Sequence, residues 1–156
     1  MKREMRNYKR KLSDETAAEI LENGLYGVLS TADENAVPYG VPLSYAAVGD
    51  AIYFHCAREG HKLDNIAANS DVCFTVVDGV ETLAEKFSTK YRSVIAFGKI
   101  RFAQNDAEKM KGIEAIMMKY SSDYAEAGKK YIEKDFEKFN ILVMDIADIS
   151  AKGRTE

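Results

Sequence analysis

The stretch AVPYGVPLSYAAV, residues 36–48, combines β-forming residues with both prolines of the chain, Pro38 and Pro42. Proline has no amide hydrogen to give to a sheet ladder, so within strands it occurs at edges, bulges or first positions. Two prolines four residues apart therefore predict a strand with interrupted pairing, whose remaining backbone groups face something else. Two interpretations stay open. One is an edge strand that proline protects from aggregation. The other is a surface for a flat aromatic ligand, on which Tyr39 and Tyr45 stack or form a cover.

Short strands and amphipathic helices account for the rest of the chain. Runs of β-type residues predict five further strands, and the helical spacing of apolar residues predicts four helices. The predicted strands are 25–31, 51–56, 71–77, 91–103 and 139–150, and the predicted helices are 13–23, 61–69, 106–120 and 126–136. The polar interval 78–89 predicts a loop. Most connections between strands are short, which favours antiparallel pairing. The predicted fold is mainly β (α+β), a small six-stranded antiparallel barrel with peripheral helices.

Composition places the chain among globular domains and excludes several other classes. The 156 residues are 46% hydrophobic and 30% charged, which is ordinary for a folded domain. No apolar run approaches the roughly 18 residues that cross a membrane. A net charge of −3 argues against nucleic acid as the main partner. Two cysteines, Cys56 and Cys73, are too few to staple a secreted domain, so we expect reduced thiols in a cytoplasm.

The chain is expected to form one domain with two short terminal segments. Residues 1–12 are a basic arm that is either solvated or in contact with an anion or a partner subunit. Residues 13–150 form the domain, with Ser13 as the expected cap of the first helix and Asp106 as that of the third. Residues 151–156 are the expected C-terminal tail.

Residues 55–62, HCAREGHK, place positive charge where a helix begins. A strand ends, a loop turns, and a helix opens with His61 and Lys62, with Arg58 just before it. The first turn of a helix carries free N–H groups and a partial positive charge, so cations there are unfavourable on their own. A bound anion reverses the sign, and a phosphate monoester is the natural candidate. Alternatively the cations splay into water, at a cost of about 0.3–1 kcal/mol each, and Glu59 neutralises part of their charge.

Arg92 and Ser93 interrupt an otherwise apolar strand in KYRSV, residues 90–94. Both side chains offer hydrogen-bond donors, which a strand position facing a cofactor requires. The alternative is plain alternation toward the solvent face. Sequence alone leaves both interpretations open.

Metal and nucleophile motifs do not occur in the sequence. There is no CxxC, HExxH, GxSxG, P-loop or GxGxxG. His55, Cys56 and His61 lie close together, but no carboxylate spacing completes a metal site around them, so we expect no metal.

In their order along the chain, these stretches resemble the flavin-binding split-barrel superfamily that includes pyridoxamine 5'-phosphate oxidase, and in particular its Nim-type, nitroimidazole-resistance branch. The matching text is GVLST, VPYGVPLSY, IYFHCAREGHKLDNIAANSDVCFTVV and YRSVIAFGKI, and the resemblance runs from about Leu12 to Lys152. It implies a six-stranded antiparallel split β-barrel that forms a homodimer, with FMN in clefts at the subunit interface.

The resemblance also implies a role for individual residues. The isoalloxazine ring would lie along the segment Val41, Pro42, Leu43 and Ser44, whose backbone would contact its polar edge. His55 would lie near the ribityl–phosphate end. His61 and Lys62 align with the basic pair that grips the phosphate, with His61 in a place where the family often has Arg. Ser93 falls where the family directs a polar side chain at the ring, and Arg92 is its neighbour.

The resemblance further implies an FMN-dependent oxidoreductase in which NAD(P)H reduces the flavin, and the flavin reduces a small acceptor such as a nitro compound, a quinone or an imine. His55, Tyr39 and Arg92 are candidates for proton donation to that acceptor. The oxidase proper closes its substrate site with a C-terminal Arg- and Trp-containing segment, whereas this chain has no Trp and ends in ISAKGRTE. We therefore expect a substrate other than pyridoxamine phosphate. Two alternatives stay open: a flavin-binding module that carries or senses without turnover, and a haem-binding split barrel with His55 or His61 as axial ligand.

Overall fold

A computed structural model describes residues 4–155 as one seven-stranded antiparallel sheet with four α-helices. The first three residues of the expected basic arm lie outside the described part. The strands are β1 Gly27–Ala32, β2 Pro38–Leu43, β3 Ala46–Val48, β4 Ala51–Cys56, β5 Asp71–Leu83, β6 Ser88–Phe102 and β7 Asn140–Arg154. The helices are α1 Asp14–Asn23, α2 His61–Ala68, α3 Asp106–Ser121 and α4 Ala125–Asp135. Four short 3-10 segments are Tyr8–Arg10, Ala84–Lys86, Ser122–Tyr124 and Phe136–Lys138.

The sheet is open, and its two edges are consecutive in the chain. The strand order is β2-β1-β5-β6-β7-β4-β3, so β2 and β3 lie at opposite edges. Only Ser44 and Tyr45 separate them. Three Cα–Cα steps span at most about 11 Å, so the sheet must curl until the two edges meet at this connector. The predicted single strand 36–48 is therefore wrong: it is two strands, and the six predicted strands become a seven-stranded open sheet.

The connector breaks the strand because Tyr45 turns into the interior. Its ring is fully buried, and its hydroxyl donates a hydrogen bond of 2.6 Å to Leu21 O at the end of α1. Gly24, just beyond α1, gives this hydroxyl room, since a Cβ there would lie 2.6 Å from it. Sequence patterning could not reveal the break, since Tyr45 suits a strand as well as it suits a core.

The polar interval 78–89 is also not a loop. β5 and β6 continue into it and pair as far as Leu83 and Ser88, with a register shift between Asp78 and Glu81 around Gly79. A short 3-10 turn closes this hairpin, and Phe87 beside it adopts a left-handed conformation and is 98% exposed. Both faces of this hairpin extension are in contact with solvent, so its strands carry polar residues on both faces. A polar composition therefore does not distinguish strand from loop here.

The termini pack more closely than expected. β7 runs through Arg154, and Ala151 is buried opposite Val94, so residues 151–154 are strand and not tail. The end of the basic segment lies against this strand, where Leu12 N–H donates to Ala151 O at 3.0 Å.

Two apolar clusters hold the helices to the sheet. The inner face of the sheet packs on α1 through Ile20, Leu29, Phe74 and other buried residues. The opposite face of β4 and β7 is covered by α3 and α4, with Tyr53 among the residues of that second cluster. Ser13 caps α1 as predicted, whereas α3 is capped by Asn105 and not by Asp106. None of the helices within residues 4–155 is long and apolar enough to cross a membrane.

Candidate functional site

The start of α2 presents backbone donors that the helix does not use. Gly60 precedes the helix with φ +140° and ψ 163°, a conformation open essentially to glycine alone, and it has no side chain to act as a cap. The first amides with helical partners are those of Leu63 and Asp64, which both donate to Gly60 O. The amides of His61 and Lys62 have no partner within residues 4–155. The helix therefore begins with two free donors at its positive end.

The charges around these donors are mixed. Arg58 and His61 are exposed and Lys62 is half-buried, as an anion site requires. Asp64 also lies in the first turn, and Glu59 precedes it, so two carboxylates offset part of the positive charge. Asp64 follows the cationic stretch 55–62 in the sequence and supplies the acidic side chain that is usual in a first turn.

Lys62 lies close to the end of β4. Burial raises the pKa of the Cys56 thiol, and the nearby Lys62 ammonium opposes that rise.

Side-chain contacts bring α2 onto the strands at the far edge of the sheet. The His61 ring packs on the Tyr39 ring of β2, with centroids 4.0 Å apart and planes tilted by 31°. Deeper in, the Asn65 side-chain amide donates to Thr31 Oγ1 at 3.0 Å, and this hydroxyl donates to Tyr39 O at 3.3 Å. Asn65 and Thr31 are each 3% exposed. A buried polar chain thus fixes the cationic helix start beside β2.

Sequence reasoning missed Asn65 and Thr31. The spacing of the apolar residues in this helix predicts a buried face of Leu63, Ile66 and Ala67, but Ala67 is exposed and Asn65 is buried. A polar residue one position from an apolar stripe reads as solvent-facing, so no sequence signal marked this pair.

β2 offers mostly backbone to a ligand. Its side chains alternate: Tyr39, Val41 and Leu43 are partly buried, whereas Pro42 is exposed. Val41 and Leu43 pack against the core, so any contact they make with a ligand beside the strand runs through their main chain. Ser44, directly after β2, is exposed. β2 is an edge strand as one interpretation predicted, with β1 on one side and no strand of residues 4–155 on the other.

Ser93 lies on the same outer face of the sheet as Pro42. The register Pro42–Val28–Thr75–Ile95 crosses three strand spacings, about 14 Å along the curved sheet. Ser93 is two residues from Ile95 on that face, is 8% exposed, and donates to Lys152 O at 3.3 Å. The fold of the single chain therefore does not bring Ser93 against the segment 41–44.

Arg92 is occupied by carboxylates. Its guanidinium makes two hydrogen bonds to Asp78, of 2.9 and 2.7 Å, and one of 3.0 Å to Glu19 of α1. These partners raise the pKa of Arg92 above its already high usual value. Arg92 therefore ties β5, β6 and α1 together, away from the start of α2.

His55 faces away from the cationic cluster. It alternates with Cys56 on β4, so the two side chains lie on opposite faces of the strand. The His55 ring meets the Phe139 ring edge-on at 4.9 Å, and burial lowers the pKa of the imidazole. Among residues 4–155, no three His, Cys, Asp or Glu side chains group as ligands for a metal ion.

An open cavity of about 500 Å³ lies against β1 and β5. Val28, the register partner of Pro42, forms part of its wall. Its other lining residues include Leu25, Tyr26 and Val77, all more than half exposed. The outer face thus presents apolar groups beside the edge strand.

Several solved structures share this architecture. A candidate 5-nitroimidazole antibiotic resistance protein from Bacteroides thetaiotaomicron VPI-5482 matches with a TM-score of 0.75 and 20% identity, over 92% of this chain and 86% of that one. An FAD-binding protein from Mesorhizobium loti matches with a TM-score of 0.67 and 20% identity, over 94% and 97%. The FAD and heme binding protein from Mycobacterium smegmatis matches with a TM-score of 0.77 and 18% identity, over 94% and 74%. At these identities the likeness shows a common fold.

Sequence comparison assigns the family. No curated protein matches the chain significantly. A family model described as pyridoxamine 5'-phosphate oxidase matches residues 13–153, which is nearly the whole chain and confirms the resemblance drawn from the sequence. The chain belongs to the pyridoxamine 5'-phosphate oxidase family.

Proposed function

We propose that this protein binds FMN along β2, with the phosphate at the start of α2 and the ring beside Pro42 and Ser44. The observation that carries the proposal is the contact between His61 and Tyr39, because it joins the anion-binding helix start to the edge strand. From Tyr39 to Ser44 an extended chain runs about 17 Å. The phosphate and the ring would therefore sit at the two ends of one strand.

The chain's own residues would divide the work of binding. The free amides of His61 and Lys62, with the Lys62 ammonium and Arg58, would hold the phosphate. The backbone of Val41 and Leu43 would meet the polar edge of the ring.

The remaining predicted residues require a second protomer or a different role. Val77 and Phe97 leave apolar groups exposed on the outer face that carries Ser93. A homodimer that covers this face would bring Ser93 of one protomer toward the flavin of the other. His55 and Arg92 point elsewhere within one protomer, so we assign them no contact there.

The proposed activity is the NAD(P)H-dependent reduction of a small acceptor such as a nitro compound. FMN, when bound, supplies the hydride and electron transfer chemistry. The protein holds it, excludes water from one side and leaves the other open to the acceptor. Of the three candidate proton donors, Tyr39 alone lies on β2, the strand along which we place the flavin. Arg92 cannot release a proton, because two carboxylates hold its charge.

The state of the two cysteines bears on the cellular location of the protein. Cys56 and Cys73 are free thiols, and Cys73 is only partly buried. We propose a reducing, cytoplasmic location.

Two measurements test the function. The visible spectrum of the purified protein, before and after addition of FMN or FAD, identifies the bound group. Steady-state NAD(P)H oxidation with and without a nitroaromatic acceptor then tests turnover. Acceptor-dependent oxidation supports the reductase, whereas a bound flavin that no acceptor reoxidises supports a carrier or sensor.

Haem is the second candidate. A neighbouring structure is that of a protein that binds both FAD and heme, and burial favours a neutral His55 imidazole, the form that ligates iron. A red-brown protein with a haem spectrum and no flavin would replace the FMN proposal.

A further inference from the structure

The connector Ser44–Tyr45 joins the two edges of the sheet, and it belongs to no strand. Its backbone groups therefore need partners outside the ladder. It also follows directly on Leu43, the last residue of the strand on which we place the ring. A shift in the connector would move the backbone of Leu43 and Ser44 with it.

Tyr120, in the last turn of α3, supplies those partners. The Tyr45 amide donates to Tyr120 Oη at 3.0 Å, and the same hydroxyl lies 3.0 Å from Tyr45 O. It is also within hydrogen-bond distance of Leu25 O, just before β1. A phenol has one proton, so it donates to one of these carbonyls at a time while accepting from the amide. One hydroxyl therefore links α3, the entry to β1 and the connector.

The side chain of Tyr45 is held from the same helix. Lys119 Nζ lies over the Tyr45 ring, 3.8 Å from its centroid, and 5.5 Å from the Tyr120 ring centroid. This Nζ is buried and has no hydrogen-bond partner within residues 4–155. A buried ammonium without a hydrogen bond lowers the stability of the fold. The end of α3 therefore contains an unfavourable group at the point where it packs on the connector.

We propose that Tyr120 is a positioning residue that fixes the backbone of Leu43 and Ser44 against the flavin ring. The inference rests on the proposed function, because it takes the ring to lie beside those residues. Tyr120 acts through Tyr45, and its own ring need not touch the flavin. Loss of the hydroxyl frees the Tyr45 amide and lets the connector relax, while the sheet and α3 stay in place.

The test compares Tyr120→Phe with Tyr124→Phe, a matched removal of a hydroxyl from a ring that is 73% exposed. For each protein we would measure the FMN dissociation constant by fluorescence quenching, the visible spectrum of the bound flavin and the melting temperature. We expect Tyr120→Phe to weaken FMN binding about three- to tenfold, the equivalent of one ordinary hydrogen bond, and to shift the flavin bands. Tyr124→Phe should match the wild type in both.

The outcomes separate this inference from the function on which it rests. If the wild type binds no FMN, the proposed function fails, and this inference fails with it. If the wild type binds FMN and Tyr120→Phe has the same affinity and spectrum, only the positioning role is wrong, whatever happens to the melting temperature. Should Tyr120→Phe not fold, a ring-fluorinated tyrosine at position 120 keeps the hydroxyl in place and alters the strength of its hydrogen bonds. An unchanged flavin spectrum would then overturn the role, and a shifted one would support it.

Discussion

The ring of His61, the first residue of α2, rests on the ring of Tyr39 of the edge strand β2 at a centroid distance of 4.0 Å. His61 opens the helix that follows β4, and Tyr39 lies on the far edge strand β2. Because of this contact, the positive end of α2 and the proline-interrupted strand form one continuous surface. The candidate site therefore depends on the packing of α2 against β2.

Replacement of Lys62 by Ala tests the phosphate grip. The loss of a charge-assisted contact, worth about 1.5–3 kcal/mol, should weaken FMN binding at least tenfold. Lys129→Ala on the exposed surface of α4 is the control and should leave binding unchanged. Equal FMN affinity in the Lys62 and Lys129 variants, measured by fluorescence titration, would remove Lys62 from the site.

Gly60 tests the backbone geometry of the helix start. Its backbone angles, φ +140° and ψ 163°, are strained for any residue with a side chain. A Cβ at this position would meet no atom within 4 Å, so the cost of a substitution comes from backbone strain and not from a steric clash. Gly60→Asn should therefore lower the free energy of unfolding by about 1–3 kcal/mol. Gly49→Asn is the control, since φ +59° at its turn lies in the left-handed region that Asn tolerates. Urea unfolding of both variants gives the comparison, and equal stability would show that Gly60 is not strained.

The Asn65–Thr31 bond tests how α2 is held on the sheet. Thr31→Val leaves the buried Asn65 amide without its acceptor, which should cost about 1–3 kcal/mol of unfolding free energy. The double variant Thr31→Val, Asn65→Leu should lose less than the sum of the two single variants, because neither partner is then stranded. Strict additivity in this cycle would show that the two side chains do not interact.

Lys119 gives the protein a specific dependence on pH. Burial lowers the pKa of Lys119 to about 8 from its ordinary 10.5, with the Glu22 carboxylate opposing the shift. Between these two values the unfolded chain binds more protons than the folded one, so this residue makes stability rise with pH. Below pH 8 the full cost of the buried charge is present.

Lys119→Met should therefore stabilise the protein at pH 7, and its advantage over the wild type should shrink as the pH rises toward 10. Titrating groups that do not contact Lys119 are common to both proteins and cancel in the difference. Parallel denaturation curves at pH 7, 8.5 and 10 measure this. A difference that stays constant over the series would show that Lys119 titrates normally.

Sequence patterning predicted the positions of regular strands and helices. It missed the break at Tyr45 that divides residues 36–48 into two strands. β4 and the first helix match their predicted positions because β4 is a short apolar run bounded by turns and the helix carries an apolar stripe. The split of residues 36–48 depends on Tyr45 finding Leu21 O and Tyr120 Oη, contacts across 24 and 75 residues. No local pattern encodes such distant partners.

The candidate site shows the same division. The start of α2 could be predicted as a candidate anion site from the sequence because Gly60, His61 and Lys62 are consecutive. The packing of this helix start against Tyr39 depends on Asn65 and Thr31. No periodicity in the sequence indicated that these two residues are buried. Arg92 was predicted as a donor to a ligand, but the partners that occupy it, Asp78 and Glu19, are known only from the fold.

The most direct test of the account compares FMN with riboflavin, which lacks only the phosphate, in titrations of the wild-type protein. If the turn after Gly60 holds the phosphate, FMN should bind at least tenfold more tightly than riboflavin, and inorganic phosphate should compete with FMN. Equal affinity for the two flavins, or no binding of either, would contradict the central claim that this helix start is a phosphate site.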